Sequence, residues 1–166
     1  AELRLGRYAE AGERLKRLLQ RWPGRAQLHA WQGVSAFAQG DYAAARAALL
    51  RAIERAPEQA EFHLNLALAE ERLAHPDAAR AAVRRALELR PNLVPGWITQ
   101  GRLQAAGDDA VGAGDSYAQA LALDPRNTRD WEGAIEAARV AGDTGQVELL
   151  RGRARRLASQ PERFQP

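Results

Sequence analysis

The sequence predicts an all-α fold, a solenoid built from stacked antiparallel pairs of helices. Four prolines recur at intervals of 34 residues: Pro23, Pro57, Pro91 and Pro125. A fixed period of this size indicates a repeated structural unit. An apolar stripe with helical spacing recurs in the same register, and no sustained two-residue alternation predicts a strand. Such a unit cannot bury its apolar face alone, so the units are expected to stack on one another.

Alignment on these prolines defines three complete blocks, 26–59, 60–93 and 94–127, with the proline at position 32 of each. Position 20 is always alanine, and so is position 27. Position 24 is large and apolar, and is filled in turn by Leu49, Val83 and Tyr117. Position 28 is Ile or Leu. Because an α-helix has 3.6 residues per turn, these four positions lie on one side of a helix.

Turn residues divide each block into two helices. Gly-Asp pairs follow the predicted first helix at Gly40-Asp41, Gly107-Asp108 and Gly142-Asp143. A glycine ends a helix readily, and the aspartate that follows it can accept hydrogen bonds from the first amides of the next helix. The proline at position 32 stops the second helix. We therefore expect about eight helices of about 14 residues, each about 21 Å long.

The two ends differ from the complete blocks. Residues 1–25 match mostly the second helix of an earlier repeat, and residues 128–158 form a degenerate last repeat followed by a tail at 159–166. The last helix has an apolar stripe of Val147, Leu150, Ala154 and Leu157, opposite Arg151, Arg153, Arg155 and Arg156. One apolar and one charged face are typical of the helix that caps a repeat array.

The pattern resembles the tetratricopeptide repeat. The first block matches it at Gly33, Gly40, Tyr42, Ala45, Leu49, Ala52 and Pro57. The family's Trp at position 4 is present as Trp97 and Trp131 and is replaced by His29 and His63, and its Tyr at position 11 is absent throughout. The resemblance implies a right-handed solenoid whose first helices line a concave groove.

The resemblance also implies which residues face that groove, through positions 2, 5, 6, 9, 12 and 13. In block order, the expected peptide-binding residues are Gln27, Ala30, Trp31, Val34 and Phe37; Glu61, Leu64, Asn65, Leu68 and Arg72; Ile98, Thr99 and Arg102; and Arg129, Glu132, Glu136 and Arg139. Large apolar side chains that face water usually mark binding sites. Trp31, with Leu64, Leu68 and Ile98, is the expected apolar anchor, although it could instead pack on the preceding helix.

Several kinds of chemistry are not supported by the sequence. There is no cysteine, no phosphate-binding loop surrounds Lys16, and no 18-residue apolar run predicts a membrane span. His29 and His63 share position 4, but no third His or Cys joins them as a metal ligand. The paired carboxylates Glu70-Glu71 face different ways on a helix and so cannot easily share a proton, and Asp108-Asp109 is interpreted as a helix start. We therefore expect no metal, no cofactor and no catalytic site.

The charge pattern argues against a nucleic-acid-binding body. The net charge is +3, but the basic residues are concentrated at the two ends and the middle is mildly acidic. Aromatic side chains that could stack on bases are not interleaved with the arginines. The excess of Arg and Ala suggests a bacterial coding sequence. Cytoplasm and periplasm are then the expected compartments.

These observations favour a non-catalytic scaffold that binds a peptide or protein segment in its groove. The alternative is a substrate-recruiting repeat region of a larger enzyme, such as a glycosyl- or sulfotransferase-like protein, with its catalytic domain outside this sequence. Self-association through the N-terminal helix is a further expectation. That helix presents Leu15, Leu18 and Leu19, while most of its first-helix partner is absent from the sequence.

Overall fold

The structure is a computed structural model that describes residues 8–124 and 128–159. Within these ranges the chain forms nine helices and no strand, so the all-α prediction is confirmed. The helices are α1 (Tyr8–Arg21), α2 (Ala26–Ala38), α3 (Tyr42–Arg55), α4 (Ala60–Arg72), α5 (Pro76–Leu89), α6 (Val94–Ala105), α7 (Ala110–Leu123), α8 (Thr128–Val140) and α9 (Thr144–Ser159).

The helices belong to two compact units. The first unit, Ala1–Pro91, contains α1 to α5, and the second, Asn92–Pro166, contains α6 to α9. Within the first unit, α2 packs on α3, α4 packs on α5, and α3 packs on α4, so that antiparallel pairs stack. Within the second unit, α6 packs on α7, α7 on α8, and α8 on α9. Each unit is thus a short stack of helical hairpins.

Alanines at positions 20 and 27 let the helices of each pair approach closely. Ala45, Ala79 and Ala113 are fully buried at position 20, as are Ala52, Ala86 and Ala120 at position 27. The large residue at position 24 packs between these alanines and the first helix. It lies opposite position 8, which is Gly33, Ala67 or Gly101. The apolar stripe read from the sequence is therefore the core.

The turn within each hairpin has one backbone form whatever its residue. Position 15 has a positive φ at Gly40 (81°), Ala74 (59°), Asp108 (61°) and Gly142 (75°). This is the left-handed region, which glycine enters at least cost. The Gly107-Asp108 prediction is wrong by one residue. Asp108 takes the left-handed position, and Asp109 caps α7 by accepting a hydrogen bond from the Gly112 amide at 2.9 Å.

The other predicted caps are confirmed. The side chain of Asp41 accepts from the Ala44 amide at 2.9 Å at the start of α3, and that of Asp143 accepts from the Gln146 amide at 2.8 Å at the start of α9. In α9, Val147 and Leu150 are buried and Arg151 and Arg155 are exposed, as a capping helix requires. The side chains of Arg153, Ala154, Arg156 and Leu157 lie outside the described residues.

Histidine at position 4 ties each first helix to the proline that ended the previous one. His29 Nε2 donates to the Pro23 carbonyl at 2.8 Å, and His63 Nε2 donates to the Pro57 carbonyl at 2.8 Å. The two histidines therefore have a structural contact in place of the Trp of the other blocks. Among the residues that the structure describes, no group of three or more His, Cys, Asp or Glu side chains is placed to hold a metal ion.

Candidate functional site

The candidate site is the face that α2 and α4 present side by side in the first unit. Positions 2, 6, 9 and 13 recur at intervals of three or four residues, so they form one stripe on each helix. On α2 the stripe includes Gln27, Trp31 and Val34. On α4 it is Glu61, Asn65, Leu68 and Arg72. All seven side chains are exposed or half-buried. We call this surface, together with Phe37, the α2–α4 face.

Trp31 is the largest apolar side chain on this face. It is 44% exposed in the middle of α2, where the preceding residue, Ala30, is buried and the following one, Gln32, is half-buried. Val34 one turn further along is half-buried, as is Leu68 on α4. Nearly half of the surface of Trp31 is therefore open to solvent. An open indole is available to a partner at little desolvation cost to the protein.

Position 5 does not belong to this face, which corrects two of the sequence predictions. Ala30 is 2% exposed and packs with Ala52 and Phe62, and Leu64 is also buried. Successive residues on a helix are rotated by about 100°, so position 5 turns from the surface stripe toward the core. Ala30 and Leu64 thus stabilise the fold and offer little surface to a ligand.

One end of the face carries an arginine held by two aromatic rings. The guanidinium of Arg72 lies 5.4 Å from the ring centre of Phe37 and 5.6 Å from that of Tyr42. Its Nη1 donates to the Tyr42 hydroxyl at 3.1 Å, and the two rings meet edge to face at 5.2 Å. This packing fixes the direction of a cation that is otherwise flexible. Tyr42 was not among the predicted site residues because it belongs to α3.

The other end of the face carries a carboxylate. Glu61 accepts a hydrogen bond from Arg90 at the end of α5. Burial by itself raises the pKa of Glu61, but a backbone hydrogen bond and the contact with Arg90 outweigh it, so the pKa lies below its usual value. Glu61 is therefore anionic at neutral pH. The face runs from this carboxylate, past Trp31 and Leu68, to the Arg72 guanidinium.

A buried ionic cluster lies behind the arginine end of the face. Glu70, 4% exposed, accepts hydrogen bonds from Arg46 Nε at 2.6 Å and His75 Nδ1 at 2.8 Å. Burial raises the pKa of Glu70, but these two hydrogen bonds lower it by more, so the pKa lies below its usual value. The burial of Glu70 was not predicted from the sequence. The only sequence signal was a carboxylate at position 11 with an arginine 24 residues earlier.

The predicted peptide-binding residues of α6, in the second unit, differ in their burial. Ile98 is half-buried against the core around Tyr117 and Trp131. Thr99 is 3% exposed and donates to the Pro95 carbonyl at 2.8 Å, so it is not a groove residue. Arg102 is exposed.

On α8, Glu132 is exposed, and Glu136 and Arg139 form an ion pair at 2.6 Å, which lowers the pKa of the glutamate. The side chain of Arg129 lies outside the described residues. The predicted site residues described on α8 therefore contribute solvated charges, and the exposed apolar residue on this helix is Val140 at its end.

Solved structures with the same fold place the chain among repeat proteins. The crystal structure of MamA superposes with a TM-score of 0.87 at 16% identity, covering 98% of this chain and 95% of that one. YrrB, a TPR protein with an unusual peptide-binding site, superposes with a TM-score of 0.75 at 17% identity, and the superposition covers 97% of this chain and 82% of YrrB. The first TPR domain of Spaghetti (RPAP3), solved with an HSP90 peptide, gives 0.69 at 20% identity, covering 71% and 96%.

The family is shown by the sequence itself. No curated protein matches the chain in sequence. The sequence model of the tetratricopeptide repeat matches residues 1–54 and 32–94, which together are more than half of the chain. No helix among the described residues has the length and apolar content needed to cross a bilayer. The repeat register, the stacked hairpins and this match lead to one conclusion: the chain belongs to the tetratricopeptide repeat family.

Proposed function

We propose that the protein is a non-catalytic scaffold that binds a peptide segment of a partner protein on the α2–α4 face. The observation that carries this proposal is Trp31, whose indole remains 44% exposed at the centre of the face. Aromatic side chains at the centre of a surface dominate many protein interfaces. Two repeat proteins of the same fold, Spaghetti (RPAP3) and YrrB, are described with a bound peptide or a peptide-binding site.

The charges at the two ends suggest how a peptide would lie. The Arg72 guanidinium suits a carboxylate of the partner, and Glu61 suits a basic group about one helix length away. Leu68 and Val34 add apolar surface between them, and Asn65 can bond to a peptide backbone. The expected ligand is therefore a segment with an apolar or aromatic centre and an acidic side chain toward the Arg72 end.

The experiment compares two tryptophans of equal exposure. Peptides are selected from a displayed library on the wild-type chain, and their affinities are measured by fluorescence anisotropy. Trp31→Ala is expected to weaken binding by about 2 kcal/mol or more, roughly 30-fold. Trp22→Ala is the matched control, because Trp22 is 42% exposed but follows α1 and lies outside the α2–α4 face.

The same variants separate binding from folding. Thermal melts of Trp31→Ala should change less than its affinity does, since the exposed indole contributes only part of its area to the core. A large drop in melting temperature with unchanged affinity would show that Trp31 is a packing residue. Equal losses for both tryptophan variants would show that selection had found a site elsewhere.

We also propose that the chain self-associates through α1. Leu15, expected on this surface, is buried at 5% exposure, but Leu18 and Leu19 are only half-buried. Sedimentation velocity over a hundredfold range of concentration is expected to show a shift from monomer to dimer that Leu18→Glu abolishes. A monomer at the highest concentration would contradict this proposal. Binding of nucleic acid is not expected, and an unchanged migration of duplex DNA in the presence of the chain would agree.

The alternative function is the recruitment of substrates to the catalytic domain of a larger enzyme. It uses the same α2–α4 face, and the peptide experiment does not distinguish it. The flanking coding sequence would decide whether such a domain exists.

A further inference from the structure

A cleft of about 360 Å³ lies among α7, α8 and α9 in the second unit. Its walls are mainly small or apolar, with Val111, Gly114, Ala138 and Leu150 among them, and its lining also includes the carboxylates of Asp115 and Asp143. Val111 is 68% exposed. The volume falls at the small end of the range for ligand pockets. The cleft is independent of the α2–α4 face and of the function proposed for it.

The repeat register explains why this space is open. The cleft lies where position 21 of one block, Gly114, meets position 11 of the next, Ala138. In the first unit the same two positions are Arg46 and Glu70, whose side chains bond to each other at 2.6 Å across the two helices. In the second unit these two positions carry only the hydrogen atom of Gly114 and the methyl group of Ala138, which leaves room for one long side chain.

We propose that this cleft binds an arginine side chain of a partner protein. The first unit already has an arginine, Arg46, at the equivalent position, where its guanidinium meets a carboxylate. In the second unit the guanidinium would come from the partner, and Asp115 and Asp143 would supply the carboxylates. The methylene stem would lie along Ala138 and Leu150, as long cationic side chains do on apolar surface.

The position of one carboxylate is fixed by the fold. Asp143 caps α9, and its Oδ1 accepts the Gln146 amide at 2.8 Å, so the side chain is held at the cleft before any ligand arrives. Asp115 is exposed on α7. Charge-assisted hydrogen bonds from a guanidinium to carboxylates are about twice as strong as those between neutral groups. The site therefore discriminates a cation from a neutral side chain of the same shape.

A second cleft provides an internal control. It lies among α1, α2 and α3, has a volume of about 400 Å³, and includes Gly12 and Ala36 at positions 21 and 11. Its lining includes the acidic residues Glu13 and Asp41, at the repeat positions of Asp115 and Asp143, and also the cations Lys16 and Arg51. Lys16 pairs with Glu13 at 2.6 Å. In the cleft among α7, α8 and α9, the position of Lys16 is filled by Ala118, and that of Arg51 by Arg153, whose side chain lies outside the described residues. The cleft among α1, α2 and α3 is therefore expected to bind an arginine more weakly, because its two cations offset its two carboxylates.

The test uses two probes that differ in charge and hardly in shape. N-acetyl-arginine methylamide and its citrulline counterpart are titrated into the full ¹⁵N-labelled chain, and amide shifts are followed. Saturable shifts are expected at 110–118 and 138–150 with the arginine probe, and the citrulline probe should bind about tenfold more weakly. Equal binding of the two probes, or shifts confined to the Lys16 and Ala36 cleft, would overturn the proposal.

Variants assign the site. Asp115→Asn should weaken the arginine probe at least threefold, while Asp108→Asn, an exposed aspartate outside the cleft, should not. Ala138→Tyr places a ring in the cleft and should abolish binding, whereas Ala36→Tyr fills the other cleft and should leave it unchanged. If Ala138→Tyr does not fold, the affinity of Asp115→Asn for the arginine probe decides whether the cleft is the binding site.

Arg153→Ala tests the cation that stands at the repeat position of Arg51. Binding equal to or tighter than that of the wild type is expected, because a cation there can only compete with the probe. Weaker binding would overturn the proposal, since it would mean that the cleft does not recognise positive charge.

Discussion

Gly33→Ala is the substitution whose outcome the structure constrains most closely. A Cβ at Gly33 would lie 2.7 Å from Leu49 Cγ and 3.1 Å from the Ala45 carbonyl oxygen, both closer than normal contact. The second block has a methyl at this position, Ala67, and the smaller Val83 at position 24. Positions 8 and 24 therefore compensate each other in size, and the effect at Gly33 should depend on the side chain at 49.

The magnitudes follow from opposing terms. Gly→Ala inside a helix gains about 1 kcal/mol from helix propensity, whereas overpacking a tight core costs about 1–3 kcal/mol. Gly33→Ala should therefore destabilise by up to about 2 kcal/mol. Leu49→Val alone removes one buried methylene and should cost about 1 kcal/mol. The double variant reproduces the pairing of the second block, and should cost about 1 kcal/mol or less instead of the sum.

Urea denaturation of the wild type, both single variants and the double variant measures this coupling. A coupling energy of about 1–2 kcal/mol in favour of the double variant is expected. Additivity within about 0.5 kcal/mol would refute the reasoning, because residues that share a packing contact do not add. Gly33→Ala combined with Leu121→Val, which lies in the second unit, is the control and should be additive.

Two further predictions concern the polar cluster and the turns. The pKa of Glu70 is lower in the folded state than in the unfolded state, so ionised Glu70 stabilises the fold fully above its unfolded-state pKa, and this stabilisation is lost as the pH falls through the folded-state pKa. On acidification, the melting temperature of Glu70→Gln should therefore fall less steeply than that of the wild type. Parallel plots of melting temperature against pH for the two proteins would contradict this prediction. Ala74→Gly should raise the stability by about 0.5–1 kcal/mol, because glycine adopts a positive φ without strain. Gly40→Ala should lower the stability for the opposite reason, and both changes are measured by thermal melts. A lower melting temperature for Ala74→Gly would show that this turn is not strained.

The fold could be predicted because one local signal is repeated in register. Ala45, Ala79 and Ala113 are separated by whole periods, so each block confirmed the helical stripe of the others, and all three are fully buried. The cap of α7 was misplaced because two aspartates and a glycine are adjacent at 107–109. Only the geometry of the turn decides which of them takes the positive φ.

The candidate site could be predicted only in part. The exposure of Trp31 could be predicted because a large aromatic residue stands at a position that faces outward in the family. Ala30 and Leu64 were misplaced because a single helical step, about 100°, separates the surface stripe from the core. The Arg46–Glu70–His75 cluster was missed because ion pairs between helices depend on which side chains meet across a packing interface. Sequence spacing within one helix does not contain that information.

The turns at position 15 have an evolutionary consequence. Glycine, alanine and aspartate all occur there, yet φ stays between 59° and 81° in all four hairpins. The flanking helices thus determine the shape of the turn, and the residue determines only its energetic cost. A mutation at this position changes how stable a hairpin is without redirecting the helices that follow. The array can therefore accumulate sequence differences between its repeats while each repeat keeps presenting its first helix in the same orientation.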